Sequence, residues 1–218
     1  MRGIAFIGGE GPPPDVCRFL AAEAALTAAA DSGLTAAEAA GLRPDWIIGD
    51  MDSLDDLRRL ERYPPERVIR YPPDKDYTDT ELVFRLLRDR GCDEIWLAGG
   101  GGGRTDHLFA IYSLFERKHP PERWITGAED IRLLETPGEL SAETPPGSFV
   151  SVFPLGAGPW KAESSGLRWS LAGLPWERGY FGISNETAGD FFAIRALSGR
   201  FMVIRPLAAS VPASRETP

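Results

Sequence analysis

The chain has 218 residues, of which 43% are apolar and 26% charged, a composition typical of a soluble globular protein with one large or two small domains. Its net charge of −8 disfavours nucleic acid and anionic membranes as partners, and no apolar stretch is long enough to span a bilayer. Cys17 and Cys92 fit no metal or redox spacing, and the chain starts with too short an apolar run for a signal peptide. We therefore expect a cytoplasmic protein.

The first part of the chain alternates apolar runs with amphipathic stretches, which predicts an α/β region with a mostly parallel sheet. Ile4 to Ile7 predicts a first strand, and Asp15 is the predicted N-cap of the helix that follows. The alanines between Ala21 and Ala30 would also fit a continuation of this helix, but we favour a second strand near Leu26 to Ala30. It runs into the turn Asp31-Ser32-Gly33, which places a carboxylate directly after a strand.

The next predicted strand carries the strongest signal of a functional site. Trp46 to Ile48 indicate a short buried strand, and Gly49 marks the point where it leaves the sheet. Asp50 and Asp52 follow, and residues two apart in an extended chain project to the same side. Two converging carboxylates repel unless a cation lies between them, and Mg²⁺ is commonly held by carboxylates together with substrate phosphates. The alternative is a helix start, with Asp52 or Ser53 as the N-cap.

A second acidic loop comes after the next predicted elements, which are a helix over Leu54 to Leu60 and a strand over Val68 to Tyr71. Thr78 and Glu81 form a capping box, which puts Asp79 in the first turn of a helix. The helix dipole alone would explain one acidic residue there. It does not explain the other charged residues crowded into this loop, which are Asp74, Lys75 and Asp76.

The strand predicted over Glu94 to Ala98 runs into five consecutive glycines, Gly99 to Gly103. Without Cβ atoms, backbone amides and the start of the following helix can approach a phosphate. Arg104 adds donors that suit phosphate oxygens, whereas His107 taken alone indicates packing or hydrogen bonding. The run is neither a P-loop nor G-x-G-x-x-G, and a flexible linker is the alternative.

All these polar segments follow predicted strands. In an open parallel sheet the carboxyl ends of the strands share one edge, where ligands bind. We therefore expect residues from distant parts of the chain to meet at that edge. They are Asp31, Asp50, Asp52, Asp79 and Arg104.

The pattern changes from about residue 127, where short strands separated by Gly, Pro and Ser predict an all-β sandwich. The predicted strands are Ile131–Glu135, Phe149–Phe153, Phe191–Ile194 and Phe201–Ile204. Ser198-Gly199 predicts a hairpin between the last two. Gly182 to Glu186 is interpreted as a polar loop, in which Ser184 and Asn185 are also explained as turn formers. The tail after Leu207 is predicted to fray.

Five motifs, in this order, resemble those of the bacterial thiamine pyrophosphokinases. They are Asp31-Ser32-Gly33, Pro44-Asp45 with Gly49-Asp50-Met51-Asp52-Ser53, Lys75-Asp76-Tyr77-Thr78-Asp79, Gly102-Gly103-Arg104-Thr105-Asp106-His107 and Ile183-Ser184-Asn185-Glu186. Each motif alone is weak, but five in the same order are specific. Ser32 departs from the family, which often has glycine there, and Ser164 to Gly179 gives no alignment from which to name an aromatic substrate contact.

The resemblance implies an α/β, Rossmann-like nucleotide-binding catalytic domain over residues 1–126 and a β-sandwich domain over residues 127–218 that binds thiamine and dimerises. It implies transfer of pyrophosphate from ATP to the thiamine hydroxyl, with release of AMP, in a homodimer that binds thiamine where the subunits meet. Asp50, Asp52 and Asp79 are the expected catalytic residues and Mg²⁺ ligands. The expected nucleotide-binding residues are Asp31, Gly33, Lys75, Asp76, Gly102, Gly103, Arg104, Thr105, Asp106 and His107. Ser184 and Asn185 are expected to hydrogen-bond thiamine or to order its loop.

Two other functions fit the same residues. One is a pyrophosphokinase for another hydroxymethyl heterocycle, such as a pterin, which would need the same phosphate-binding groups. The other is a non-catalytic nucleotide sensor, although a sensor has less need of three converging carboxylates.

Overall fold

The computed structural model describes residues 1–207 and divides into two compact units, Met1–Gly127 and a second that begins at Ala128. No helix in the described chain is long and apolar enough to cross a membrane. The predicted fraying after Leu207 lies outside the described residues.

The first unit is an α/β structure with a parallel sheet. Its strands are β1 (Arg2–Phe6), β2 (Leu26–Ala30), β3 (Trp46–Gly49), β4 (Val68–Arg70), β5 (Glu94–Ala98) and β6 (Arg123–Ile125). Its helices are α1 (Pro14–Ala22), α2 (Gly33–Ala39), α3 (Asp79–Asp89) and α4 (Thr105–Phe115). Every strand pair in this unit is parallel, and the strands lie in the order β6-β5-β1-β2-β3-β4.

The strand order creates a switch point beside β1. From β1 the chain moves outwards through β2, β3 and β4, and it then returns to β5 on the other side of β1. Such sheets bind ligands in the crevice at the carboxyl ends of the strands where this reversal occurs. Here the loops at that position are Gly8-Gly9, after β1, and the glycine run after β5.

Two local predictions in this unit are wrong. Asp15 does not cap α1, because the N-cap residue is Pro13 and Asp15 lies in the first turn of the helix. The helix predicted over Leu54 to Leu60 is instead a 3₁₀ helix over Leu57–Arg62, with Asp56 as its N-cap. A second short 3₁₀ helix, Pro65–Arg67, follows, and prolines at 64 and 65 leave little room for a longer α-helix.

The capping box at the start of α3 is confirmed. The Thr78 hydroxyl accepts a hydrogen bond from the Glu81 amide at 3.2 Å, and the Thr78 amide donates to the Glu81 carboxylate at 3.0 Å. These bonds fix where the helix begins, and so they fix Asp79 as its first residue.

The second unit contains two antiparallel sheets. Its strands are β7 (Glu129–Glu135), β8 (Gly138–Glu143), β9 (Phe149–Leu155), β10 (Lys161–Ser165), β11 (Gly182–Glu186), β12 (Phe191–Ser198) and β13 (Arg200–Pro206). One sheet has the order β11-β9-β13-β7 and the other β10-β12-β8. Side chains from both sheets, including Val152, Phe201 and Phe192, share one buried cluster. The broad prediction of an α/β region followed by an all-β region therefore agrees with the structure.

The hairpin predicted at Ser198-Gly199 is wrong. β12 pairs with β10 and β8, whereas β13 pairs with β7 and β9, so the chain passes from one sheet to the other at this turn. Only Gly199, with φ +82°, separates the two strands. The tightest common hairpins need a loop of two residues, which explains why these strands do not pair.

The interpretation of Gly182 to Glu186 as a polar loop is also wrong. This segment is β11, which pairs with β9 at the edge of its sheet. Its register shifts between Gly182 and Asn185, and Ser184 has φ +55°. The polar residues therefore belong to a bulged edge strand, in which alternation of apolar and polar side chains is lost.

Replacing Thr78 tests whether the capping box stabilises α3. We expect Thr78→Ala to lower the free energy of unfolding by about 1 kcal/mol, because the Glu81 amide loses its acceptor. Thr78→Ser keeps the hydroxyl and serves as the control. Denaturant unfolding of the three proteins is the measurement, and equal stability of the alanine and serine variants would contradict this role.

Candidate active site

Three carboxylates converge at the carboxyl edge of the parallel sheet. Asp31 follows β2, Asp50 follows β3 and Asp79 begins α3. One oxygen atom of each lies within 4.8 Å of the others. Asp31 is buried, with only 7% of its surface exposed. We call these three residues the acidic cluster.

The backbone at Asp31 and Gly49 allows this approach. Asp31 has φ +46°, and its amide donates to the carbonyl of Ile48 at 3.0 Å, which ties the two loops together. A Cβ at Gly49 would lie 3.0 Å from Asp79 Oδ1 and 3.2 Å from Asp31 Cβ. Glycine at this position therefore leaves the space that the acidic cluster occupies.

Asp52 is not part of the acidic cluster, although the sequence predicts it beside Asp50. Met51 has φ +67°, so the chain turns between the two aspartates and the alternation of an extended strand does not apply. The Asp52 side chain is exposed and accepts a hydrogen bond from the Ser53 hydroxyl at 3.0 Å. It still lines the same cavity as the cluster.

Lys75 inserts its ammonium group into the acidic cluster. Nζ lies 2.6 Å from Asp50 Oδ2 and 3.0 Å from Asp79 Oδ1, and the lysine side chain is 10% exposed. The hydrogen bond from Lys75 holds the pKa of Asp50 below its ordinary value. Burial raises the pKa of Asp79; the charges of Asp50 and Asp31 act in the same direction, and Lys75 opposes them.

The acidic cluster fits a hard divalent cation. Within residues 1–207, the buried Oδ1 of Asp31 has no hydrogen-bond donor. A buried carboxylate oxygen without a partner is costly, and a metal ion would satisfy it. One lysine also leaves three carboxylates incompletely neutralised, and carboxylate oxygens are the ligands that Mg²⁺ takes.

The acidic cluster borders a cavity of about 470 Å³ in the first unit. Gly100 to Gly103, Arg104 and His107 also line this cavity, and Ile111 and Leu114 add apolar surface. Ser32 also lines it, which sequence reasoning noted only as a departure from the family. Acidic and cationic groups thus face one space that also has apolar walls, as in many small-molecule sites.

Most of the glycine run serves the fold and not a ligand. The amides of Gly99, Gly100 and Gly101 donate to the carbonyls of Ile125, Gly8 and Glu10. Within the described chain, the amides of Gly102 and Gly103 make no hydrogen bond. Only these two amides of the run are therefore available to bind an anion.

Arg104 and Asp106 form an exposed ion pair at the start of α4. Arg104 Nη2 lies 2.5 Å from Asp106 Oδ2, and this contact lowers the pKa of Asp106. Thr105 is the first residue of α4, and both it and His107 are exposed. Within residues 1–207 Asp106 is the ion-pair partner of Arg104, and an exposed guanidinium can exchange such a partner for a phosphate at little cost.

Five of the ten predicted nucleotide-binding residues are not among the described residues that line the cavity; they are Gly33, Lys75, Asp76, Thr105 and Asp106. Gly33 is buried, and a Cβ there would lie 2.2 Å from the carbonyl oxygen of Phe6, so glycine is needed for packing against β1. Asp76 is exposed and is not among the cavity-lining residues of the described chain.

In the second unit, Asn185 is committed to the fold. Its amide oxygen accepts from the Trp169 amide at 3.1 Å and from the Glu186 amide at 2.9 Å, and its amide nitrogen donates to the Trp169 carbonyl at 2.7 Å. Asn185 is 5% exposed, whereas Trp169 is 51% exposed. Ser184 is exposed, and its amide donates to Ser151. Asn185 therefore orders the segment that displays Trp169, which sequence reasoning did not single out as a site residue.

Fold and site together define the class of α/β proteins that bind ligands at the carboxyl edge of a parallel sheet. Residues 17–124 match the family model described as the thiamin pyrophosphokinase catalytic domain. The chain is 31% identical over 119 residues to thiamine pyrophosphokinase of Bacillus subtilis strain 168, a match that spans 52% of this chain and 54% of that protein.

Solved structures extend the likeness to nearly the whole chain. The crystal structure of thiamine pyrophosphokinase from Bacillus subtilis superposes with a TM-score of 0.75 at 24% identity, covering 94% of this chain and 98% of that one. For thiamin pyrophosphokinase from Geobacillus thermodenitrificans the TM-score is 0.72 at 25% identity, with 98% and 99% coverage. The chain belongs to the thiamin pyrophosphokinase family.

The opposite pKa shifts of Asp50 and Asp79 predict opposite effects on stability. The charged form of Asp50 stabilises the fold above its unfolded pKa of about 3.9 and ceases to do so as the pH falls through its lower folded value. The charged form of Asp79 costs stability at neutral pH, and that cost disappears as the pH falls through its raised folded value towards about 3.9.

In metal-free buffer at pH 7 we therefore expect Asp50→Asn to lower the free energy of unfolding and Asp79→Asn to raise it. The advantage of Asp79→Asn should disappear as the pH approaches 4. Urea unfolding with a chelator present, between pH 4 and pH 7, measures both effects. Shifts of the same sign at pH 7 would contradict the assigned electrostatics.

Proposed function

We propose that the protein transfers pyrophosphate from ATP to the hydroxyl of thiamine, giving thiamine diphosphate and AMP. The observation that carries the proposal is the acidic cluster, with an unpartnered buried oxygen on Asp31, beside a cavity that also presents Arg104 and two free amides. A triphosphate needs both kinds of group at once. The choice of thiamine over a pterin rests on the likeness to the relatives described above.

In this proposal Asp31, Asp50 and Asp79 would hold the metal, and Asp52, at the cavity wall, would contact it through water or bind substrate. A bound Mg²⁺ would neutralise and align phosphate oxygens. Arg104 and the amides of Gly102 and Gly103, which line the same cavity, would bind other oxygens of the triphosphate.

The transfer itself requires little covalent help from the protein. The thiamine oxygen attacks the β-phosphorus of ATP, the bond from that phosphorus to the α-phosphate oxygen breaks, and AMP leaves. Alignment of the two reactants and stabilisation of the charge on the phosphate oxygens account for most of the catalysis in such reactions. An aspartate of the cavity is the natural acceptor for the hydroxyl proton.

We also propose that the second unit binds thiamine and forms a homodimer, with thiamine bound where the subunits meet. Phe149 on β9 and Ile183 on β11 are 56% and 59% exposed. Phe181, just before β11, is 45% exposed, and its ring centroid lies 4.8 Å from that of Phe153. Exposed apolar side chains on adjacent strands are typical of protein interfaces.

We further propose that the protein works in the cytoplasm. Two buried free cysteines support this compartment, because thiols stay reduced there.

Asp50→Asn tests the catalytic proposal. The purified protein is incubated with ATP, Mg²⁺ and thiamine, and AMP and thiamine diphosphate are measured. We expect both products from the wild type and a loss of about 100-fold or more in the variant, because a metal ligand is removed. Asp55→Asn removes the same charge from an exposed neighbour and should remain active.

If the wild type makes no AMP with thiamine but makes AMP with a hydroxymethyl pterin, the substrate is the pterin and the proposal of thiamine is wrong. Binding of ATP without AMP release from either alcohol would favour a sensor. Near-normal turnover of folded Asp50→Asn would refute the assigned role of the acidic cluster.

Phe149→Lys tests the proposed dimer. We expect the wild type to have the mass of a dimer by light scattering, and the variant that of a monomer, because a buried charge without a partner opposes association. Phe191→Lys is the control, since Phe191 is 47% exposed but lies in the other sheet. A monomeric wild type, or dimers in both variants, would contradict this interface.

A further inference from the structure

Lys75 occupies the space between two carboxylates of the acidic cluster. Its ammonium group lies 2.6 Å from Asp50 Oδ2 and 3.0 Å from Asp79 Oδ1, and only 10% of its side chain is exposed to solvent. Each contact has the length of a charge-assisted hydrogen bond or a close ion pair. The lysine therefore reduces the repulsion between two carboxylates, although its single positive charge does not neutralise both.

The ammonium group and a divalent cation cannot use these oxygens together. Mg²⁺ approaches its oxygen ligands to about 2.1 Å, which would bring it close to Nζ and set two cations side by side in a poorly solvated site. Entry of the metal therefore requires that Lys75 leave Asp50 and Asp79. Asp31 Oδ1, which Lys75 does not reach, has no hydrogen-bond partner among the described residues and remains as a ligand atom.

A displaced Lys75 needs a new anionic partner near the cluster. Within the described chain the carboxylates close enough for an ion pair with Lys75 are those of Asp50 and Asp79. The cavity beside the cluster has cationic and amide donors that fit a phosphorylated ligand. Such a ligand would carry oxygens within the same space, so it supplies the partner that the protein lacks.

We propose that Lys75 is a resident counter-ion that makes binding of the divalent metal dependent on binding of the triphosphate. Without nucleotide the lysine occupies the oxygens of Asp50 and Asp79, and a metal that displaces it leaves the ammonium group with no new anionic partner. With nucleotide the lysine moves to a phosphate oxygen, and the metal takes its place. Lys75 is thus a positioning residue that couples the two ligands; this inference rests on the proposed function, because it takes the phosphorylated ligand to be ATP.

The test measures metal binding without turnover. Mn²⁺ replaces Mg²⁺ because its free fraction is read directly by electron paramagnetic resonance, and α,β-methylene ATP replaces ATP because the bond that would break is carbon-bridged. Mn²⁺ affinity is measured with and without the analogue, for wild type and Lys75→Met. Coupling between two ligands is commonly about 5- to 150-fold, and the wild type should fall in that range.

For Lys75→Met we expect Mn²⁺ alone to bind about tenfold more tightly than to the wild type and the coupling to fall by a similar factor; the coupling that remains is the direct contact of the metal with phosphate. Lys118→Met removes the same charge from an exposed lysine and should behave as the wild type. The proposal is overturned if Lys75→Met binds Mn²⁺ alone no more tightly than the wild type, or if it keeps the full coupling.

Thermal unfolding keeps the test decisive if Lys75→Met is unstable. Three unneutralised carboxylates should lower its unfolding temperature in chelator, and Mn²⁺ should then raise that temperature by more than it does in the wild type. A smaller rise than in the wild type counts against the proposal. Lys75→Gln, which is uncharged but polar, carries the same comparison if the methionine variant does not fold.

These measurements distinguish the two proposals. A wild type that shows the metal–nucleotide coupling but makes no AMP with any alcohol would refute the proposed function and leave the role of Lys75 standing. A wild type that makes AMP normally while Lys75→Met retains the full coupling would refute the role of Lys75 and leave the proposed function standing.

Discussion

The site depends on a fold that holds three carboxylates close together, although their charges favour separation and hydration. Carboxylates this close repel one another, and the pKa of Asp79 is raised, first by burial and then by the charges of Asp50 and Asp31. Neighbouring structure counters this repulsion. The left-handed backbone at Asp31, the missing Cβ at Gly49 and the ammonium of Lys75 each remove an obstacle to convergence.

Parallel-sheet topology explains why such distant residues can meet. The loops after β2 and β3 and the start of α3 all open at the same edge, next to the crevice beside β1. The glycine run lies where the strand order reverses, and the amides of its first three residues donate hydrogen bonds to carbonyls of neighbouring segments. In the part of the chain that the structure describes, the amides at its end, Gly102 and Gly103, stay available for an anion, so the same segment both builds the crevice and supplies part of its lining.

Much of this could be predicted from sequence, where the signal is local. The capping box at Thr78 and the strand over Leu26 to Ala30 depend on nearby residues, and both are found in the structure. The geometry of Asp52 was missed because it depends on a positive φ at Met51, which nothing in a methionine predicts. The exchange of sheets at Gly199 and the strand at Gly182–Glu186 depend on pairing between distant segments, which local pattern does not encode.

Helix α3 has a double attachment that bears on how the protein moves. It packs against β1, β2 and β3 through buried residues such as Val83 and Leu87, and its first residue is a carboxylate of the acidic cluster. Any partial opening that detaches this helix from the sheet must therefore also disassemble the ligand set. Ligand binding at the acidic cluster and local unfolding of α3 are therefore linked equilibria. Hydrogen exchange of the α3 amides would slow when the acidic cluster holds a ligand.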